Sequence, residues 1–153
     1  MAQQFRAVLD SEKRWLGNVS RAGDFVPWRL SVVREVMNRR SPYALVLRRG
    51  QGTRRQSEFL HCWQLLIAET LQRVAPPQGG PGGCAPAPAG LTTEDPEHLA
   101  VAILAALHGG AALSWLAEDR RCLEAALDIA LAPVLGRHRP ERPDLADEPN
   151  LQR

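Results

Sequence analysis

The segment from residue 99 to residue 116 constrains the fold more than any other part of the sequence, because its 18 residues include no Asp, Glu, Lys or Arg. Asp95, Pro96 and Glu97 precede it and predict a helix start, with an aspartate cap, a proline in the first turn and an acid near the positive end of the helix dipole. The segment is long enough for a membrane span. Because it is rich in alanine and glycine, we expect a buried helix of a bundle instead.

At helical spacing this segment has two opposite apolar faces. One face holds Leu99, Ile103, Ala106, Gly110 and Leu113. The other holds Val101, Leu104, His108, Ala112 and Trp115. A helix that is apolar on all sides has to be covered on all sides, either by the rest of its own chain or by a partner.

The whole chain predicts an all-α fold, a helical bundle. Alanine and leucine dominate the apolar residues, which favours helices over strands. Apolar residues at helical spacing predict helices at residues 3–16, 27–40, 54–74, 96–116 and from 118 or 119 to about 136. The stripe of the first helix is Phe5, Val8, Leu9, Glu12 and Leu16. Residues 43–47 allow a short strand or a helical turn, and we expect the helical turn because a lone strand has no partner.

Two segments depart from the helical pattern in composition. Residues 75–90 contain five prolines and five glycines, so we expect a flexible insert there. Residues 137–153 are charged and contain proline, and we expect a disordered tail. The predicted organisation is one helical domain over residues 1–136, with the tail after it.

Motifs for catalysis or metal binding are missing from the sequence. It contains no HExxH, no GxSxG and no phosphate-binding glycine loop. Cys62, Cys84 and Cys122 are too few and too widely spaced for a zinc site or a disulfide framework. The N-terminus has no signal-peptide pattern. We therefore expect a cytoplasmic protein that is not an enzyme and that has reduced thiols, no metal and no cofactor.

The last two predicted helices carry a recognisable order of features. The turn Asp95-Pro96-Glu97 is followed by Leu99-Ala100, the mid-helix pair Gly109-Gly110, Asp119 in a short acidic turn, and an Ala/Leu helix from residue 123 to residue 131. Residues 90–135 resemble in this order the closing two helices of TetR/AcrR-type transcriptional regulators. Residues 59–74, with the sequence FLHCWQLLIAETLQRV, are similar to the helix that precedes them in that family.

The resemblance implies a regulatory domain that binds a small apolar effector in a cavity between helices and forms a homodimer. In that family the ligand shifts the spacing of two DNA-binding heads. Residues 1–50 show no helix-turn-helix pattern, so we expect either a fragment of such a regulator or a stand-alone sensor related to it. The resemblance implies that DNA is contacted only through a helix-turn-helix that is not present in this chain.

Five residues are candidates for an effector site: Trp63, Ile67, Leu104, His108 and Trp115. Ligand pockets are mostly apolar and aromatic with few polar groups, and His108 would supply the polar contact. The alternatives are that His108 is a core histidine bonded to a backbone carbonyl, or that it makes a contact across a dimer seam, and that both indoles simply fill the core.

A homodimer interface is predicted on the last two helices. The stripe of the final helix, proposed as the contact surface, is Leu123, Leu127, Ala130, Leu131 and Val134. Two such helix pairs related by a two-fold axis would form a four-helix interface. The alternative is that the first three helices cover both faces of the fourth within one subunit.

Charge is distributed unevenly, and this suggests a competing function. Residues 1–75 hold 13 Arg and Lys against 6 Asp and Glu, a net charge of +7. Seven arginines lie between Arg34 and Arg55. Such a patch can bind phosphates by charge, and direct nucleic-acid binding is therefore an alternative function. A helical partner-binding protein without a small ligand is a third hypothesis.

Overall fold

The computed structural model describes residues 2–48, 54–75 and 95–136. Within these residues the chain forms six α-helices and no strand. The helices are α1 (Ala2–Gly17), α2 (Phe25–Met37), α3 (Pro42–Arg48), α4 (Arg54–Val74), α5 (Pro96–Ala117) and α6 (Arg121–Leu135), and a short 3₁₀ turn (Ala22–Asp24) precedes α2. The prediction of an all-α fold is confirmed.

The predicted helical turn at residues 43–47 is confirmed, since it forms the middle of α3. The second helix ends at Met37, earlier than the predicted residue 40, because Asn38 has an extended backbone. The hydroxyl of Ser41 then donates to the carbonyl of Glu35 and accepts the N–H of Ala44. One serine therefore closes α2 and caps α3. The predicted tail, and the predicted insert beyond Ala75, lie outside the described residues.

The start of α5 has the aspartate cap and the first-turn proline that the sequence predicted. Pro96 is the first helical residue, and the Asp95 carboxylate accepts the backbone N–H of Glu97. At the other end, Glu118 adopts a left-handed conformation with φ of 52°, which turns the chain from α5 into α6.

The helices enclose one contiguous apolar core. In this bundle α1 packs against α3 and α4, α2 packs against α3 and α6, and α5 lies between α4 and α6. Arg29 ties α2 to α6, because its guanidinium pairs with the Asp128 carboxylate at 2.6 Å and donates to the Glu124 carbonyl at 3.2 Å. Arg73 of α4 donates to the carbonyl of Leu16 at 2.6 Å and so satisfies the end of α1.

Gly110 and Ser114 lie at a close contact between α5 and α6. A Cβ atom added at Gly110 would lie 2.9 Å from the Cα of Leu123 and 3.0 Å from the Cβ of Ala126. The Ser114 hydroxyl, fully buried, accepts the N–H of Leu123 at 2.8 Å. The two helices can therefore approach only because residue 110 has no side chain.

Among the described helices, α5 alone is long and apolar enough to cross a membrane by length and composition, with 44% of its most apolar 18-residue window buried inside the fold. The core helix of a soluble bundle meets the same criteria, so this finding is weak evidence for a span.

Gly110→Ala should be about 1–3 kcal/mol less stable than Gly109→Ala, because its methyl group would collide with the backbone of Leu123 and overpack the contact. Gly109→Ala is the matched control, since a Cβ atom there meets nothing within 4 Å and alanine gains about 1 kcal/mol of helix propensity. Urea unfolding at submicromolar protein concentration measures both. Equal stabilities for the two variants would contradict this description of the α5–α6 contact.

Candidate functional site

A carboxylate lies at the centre of the core. Glu12 of α1 has 0% of its surface exposed, although its neighbours on the same helix face are Val8 and Leu16. Its Oε2 accepts the indole N–H groups of Trp28 and Trp63, each at 3.0 Å. Its Oε1 accepts the hydroxyl of Tyr43 at 2.5 Å. We call these four residues the Glu12 cluster.

The Glu12 cluster joins four helices at one point. Trp28 comes from α2, Tyr43 from α3 and Trp63 from α4, and each donor side chain is almost completely buried. The rings also pack on one another, since Tyr43 and Trp63 meet edge to face with centroids 5.9 Å apart. Aromatic side chains with a polar hydrogen suit this position, because their rings fill the core while their N–H or O–H reaches the acid.

Burial raises the pKa of Glu12, and the hydrogen bonds from Tyr43, Trp28 and Trp63 oppose that rise in this order. Burial, followed by the nearby charge of Glu12, raises the pKa of Tyr43. Among the described residues no cationic side chain forms an ion pair with Glu12. The acid is therefore stabilised only by neutral donors, which compensate a buried charge less well than a cation does.

The sequence-predicted effector residues lie in two different settings. Trp63 and Ile67 are fully buried, Leu104 is almost so, and His108 and Trp115 are half-buried. The indole N–H of Trp63 points to Glu12 on α1, whereas that of Trp115 donates to the Val36 carbonyl on α2 at 3.3 Å. The Trp115 ring also carries the Arg48 guanidinium 4.6 Å from its centroid. The two indoles are thus held by different partners.

The stripe predicted as the dimer contact is placed inside the subunit. Leu123, Leu127 and Leu131 have no exposed surface in the single chain, Val134 is almost fully buried, and Ala130 is half-buried. These side chains pack against the rest of the bundle, so the burial corrects their proposed role as the surface offered to a second copy. A charge at Leu127 would disrupt the core and would not test assembly.

The exposed side of α5 is an apolar surface. Successive helical residues advance by about 100°, which puts seven exposed residues on one face. They are Val101, Ala102, Ala105, Gly109, Ala112, Leu113 and Leu116. We call this the α5 face. None of these seven residues is polar, and the exposed, polar His98 precedes them on the same side of α5. Gly109 lies near the centre of the face, and Leu116 is 84% exposed.

Two arginines of the predicted basic patch, Arg39 and Arg48, lie near the turn between α5 and α6. Arg39 lies 3.7 Å from the Glu118 carboxylate, and Arg48 lies over Trp115 near the end of α5. Both contacts put the ends of α2 and α3 beside this turn, which itself carries Arg120 and Arg121. Arg49 lies outside the described residues.

Cysteine placement gives no sign of a disulfide in the described residues. Cys62 is an exposed free thiol and Cys122 a half-buried one, while Cys84 lies outside the described residues. No group of three or more His, Cys, Asp or Glu side chains that could hold a metal ion occurs in residues 2–48, 54–75 and 95–136.

Sequence reasoning missed the Glu12 cluster, although one signal was available. Glu12 occupies a position on the apolar stripe of α1, between Val8 and Leu16, where a solvated acid is out of place. Trp28 and Tyr43 carried no comparable signal.

Comparison with protein-family models, curated proteins and solved structures finds no match to this chain.

Glu12→Gln should fold and should flatten the dependence of stability on pH. The glutamine oxygen can accept both indoles while its NH₂ donates to Tyr43. Because the folded pKa of Glu12 is raised, the folded state binds the proton more tightly. The contribution of Glu12 to stability is thus greatest below 4.5, its ordinary pKa, and falls as pH rises through the raised value, by up to about 1.4 kcal/mol per pH unit.

Urea unfolding between pH 4 and pH 9, about the range in which carboxyl and histidine groups of proteins titrate, measures this difference between wild type and variant. Glu69→Gln, a change at an exposed glutamate of α4, is the control and should leave the wild-type profile unchanged. Parallel pH profiles for wild type and Glu12→Gln would show that Glu12 titrates normally.

Proposed function

We propose that the chain is the ligand-sensing and dimerisation module of a TetR-like transcriptional regulator. It acts in the cytoplasm as a homodimer and binds a small apolar effector. Any contact with DNA is made only through a helix-turn-helix that is not present in this chain. The observation that carries this proposal is the exposed apolar α5 face, with Gly109 near its centre.

The composition of the α5 face supports self-association. Val101, Leu113 and Leu116 are 48%, 57% and 84% exposed, and no charged residue lies on α5 between Glu97 and its last residue. Contiguous exposed apolar surface on a soluble chain marks a contact site. A two-fold axis places one such face against its own copy, so that a single surface covers itself.

Gly109 adds a second argument for a helix-to-helix contact. Glycine in a helix interior costs about 1 kcal/mol relative to alanine. At residue 110 only glycine fits, because a Cβ atom there would collide with the backbone of Leu123. At Gly109 the chain itself imposes no such limit, since none of its described atoms lies within 4 Å of an added Cβ. Together with Ala105 and Ala112, Gly109 would let a second helix approach to the usual 8–10 Å.

Leu113→Glu should convert the dimer into a monomer, because it places a charge in the proposed contact surface without entering the core. Leu65→Glu is the matched control, since Leu65 is a comparably exposed leucine on a different helix, α4. Sedimentation velocity at tens of micromolar, a concentration on the order of that needed to populate a micromolar-affinity dimer, distinguishes the two states. A monomeric wild type, or a dimeric Leu113→Glu variant, would contradict the proposed interface.

The aromatic and apolar side chains between α4 and α5 support the effector-binding part of the proposal. Trp63 and Ile67 of α4 and Leu104 of α5 belong to the same apolar core, and Trp115 packs against it. Pockets for small ligands are lined by such side chains and a few polar groups, here His108 and the Glu12 cluster.

Tryptophan fluorescence titrated with a panel of uncharged aromatic and aliphatic compounds tests ligand binding. A saturable change in emission that is lost in a Trp115→Phe variant would locate the ligand near the end of α5. Trp15→Phe, at a partly exposed tryptophan of α1, is the control and should keep the response. A panel without any saturable response would favour a partner-binding protein without a small ligand.

A second candidate function is direct binding of nucleic acid. The observation in its favour is the grouping of Arg39, Arg48, Arg120 and Arg121 around the α5–α6 turn. Binding through phosphates falls steeply as salt rises. Gel shifts with random-sequence duplex DNA at low and moderate salt, with wild type and an Arg39→Ala/Arg120→Ala double variant, test it. Absence of any shift at low salt would exclude this candidate.

A further inference from the structure

His108 lies at the border between the α5 face and the core, and its two ring nitrogens have different surroundings. Nδ1 lies 2.9 Å from the carbonyl oxygen of Leu104. A carbonyl oxygen can only accept, so the proton resides on Nδ1 and Nε2 of the neutral ring is left as an acceptor. The hydrogen bond within the helix thereby selects the tautomer.

Nε2 of His108 is buried and has no hydrogen-bond partner among the described residues. The indole N–H of Trp115, on the same helix, is directed to the Val36 carbonyl. A buried acceptor without a donor costs free energy, and native structures seldom leave one unfilled without a reason.

The surroundings of Nε2 restrict what could satisfy it. The α5 residues one turn before and after His108 are Leu104, Ala105, Ala111 and Ala112. No other charged or titratable residue occurs on α5 between His98 and the end of the helix. An ionic ligand would therefore meet no counter-charge from this helix, whereas an uncharged molecule with a single donor would satisfy the acceptor and bury its remaining surface against apolar side chains.

We propose that Nε2 of His108 is the hydrogen-bond anchor of the effector site, and that the effector is an uncharged, mostly apolar molecule carrying one hydroxyl or N–H donor. This inference rests on the proposed ligand-sensing function and specifies the ligand class for it. A site that presents a buried acceptor discriminates against an analogue that lacks the donor, because the acceptor then stays unpaired in the complex.

The test uses matched ligand pairs that differ only in the donor. Each pair is an aromatic alcohol and its methyl ether, or an aromatic N–H compound and its N-methyl derivative, such as 2-naphthol with 2-methoxynaphthalene and indole with 1-methylindole. Affinities for the full chain are measured by isothermal titration calorimetry. For wild type we expect the donor-bearing member of a pair to bind about tenfold more tightly than its methylated partner.

His108→Leu should fold, because it removes an acceptor that has no partner in the free protein. It should also abolish the preference of about tenfold, so that the two members of each pair bind with about equal affinity. His108→Gln keeps an acceptor oxygen at a similar reach and should restore part of the preference. His61→Leu, at an exposed histidine of α4, is the matched control and should keep the wild-type preference.

The outcomes separate this inference from the function on which it rests. Equal affinity for both members of every pair in wild type, or a preference that His108→Leu leaves intact, overturns the role of His108 while ligand binding itself stands. Failure of every compound to bind wild type counts against ligand sensing and overturns the inference with it. A preference that disappears only at His108 supports both.

Discussion

The arrangement of the first four helices depends on one buried carboxylate. Glu12 forms no ion pair within the described residues, and it is held by two indole N–H groups and one phenol hydroxyl from three other helices. Removing an acid from water is costly, and neutral donors offset only part of that cost. The directions of these three hydrogen bonds fix the arrangement of α1, α2, α3 and α4. Apolar contacts alone would define that arrangement less closely, because they are not directional.

The final two helices are organised by a different constraint. Close approach at Gly110, together with the hydrogen bond from Leu123 to Ser114, sets α5 against α6 and turns the leucine stripe of α6 inward. With α4 on one side of α5 and α6 on another, the face around Gly109 is left to solvent in the single chain. This is the physical basis for proposing that a second copy covers it.

The sequence predicted the helices well because helix formation depends mainly on residues that are close together in the chain. Apolar spacing and the Asp95-Pro96 start fixed α5 closely, and the same spacing marked α1 and α4. The Glu12 cluster could not be predicted from local patterns, because its hydrogen bonds join residues that are separated by 16, 31 and 51 positions in the chain. Only the acid within an apolar stripe pointed to it.

Periodicity also could not tell which neighbour covers an apolar stripe. Leu123, Leu127 and Leu131 were correctly placed on one face of α6, but the spacing is the same whether that face meets α5 or another subunit. The close contact at Gly110 decides the matter, and it depends on the backbone separation of two helices. The placement of Leu113 and Leu116 on the outside follows from the same contact.

The pKa of Glu12 tests most directly whether the core closes around an acid that forms no ion pair within the described residues. ¹³C NMR titration of the Glu12 side-chain carboxyl, assigned by comparison with Glu12→Gln, measures it directly. We predict a midpoint above 4.5, with the indole N–H resonances of Trp28 and Trp63 shifting at the same pH. A midpoint at or below 4.5, or indole resonances that do not follow it, would contradict the claim.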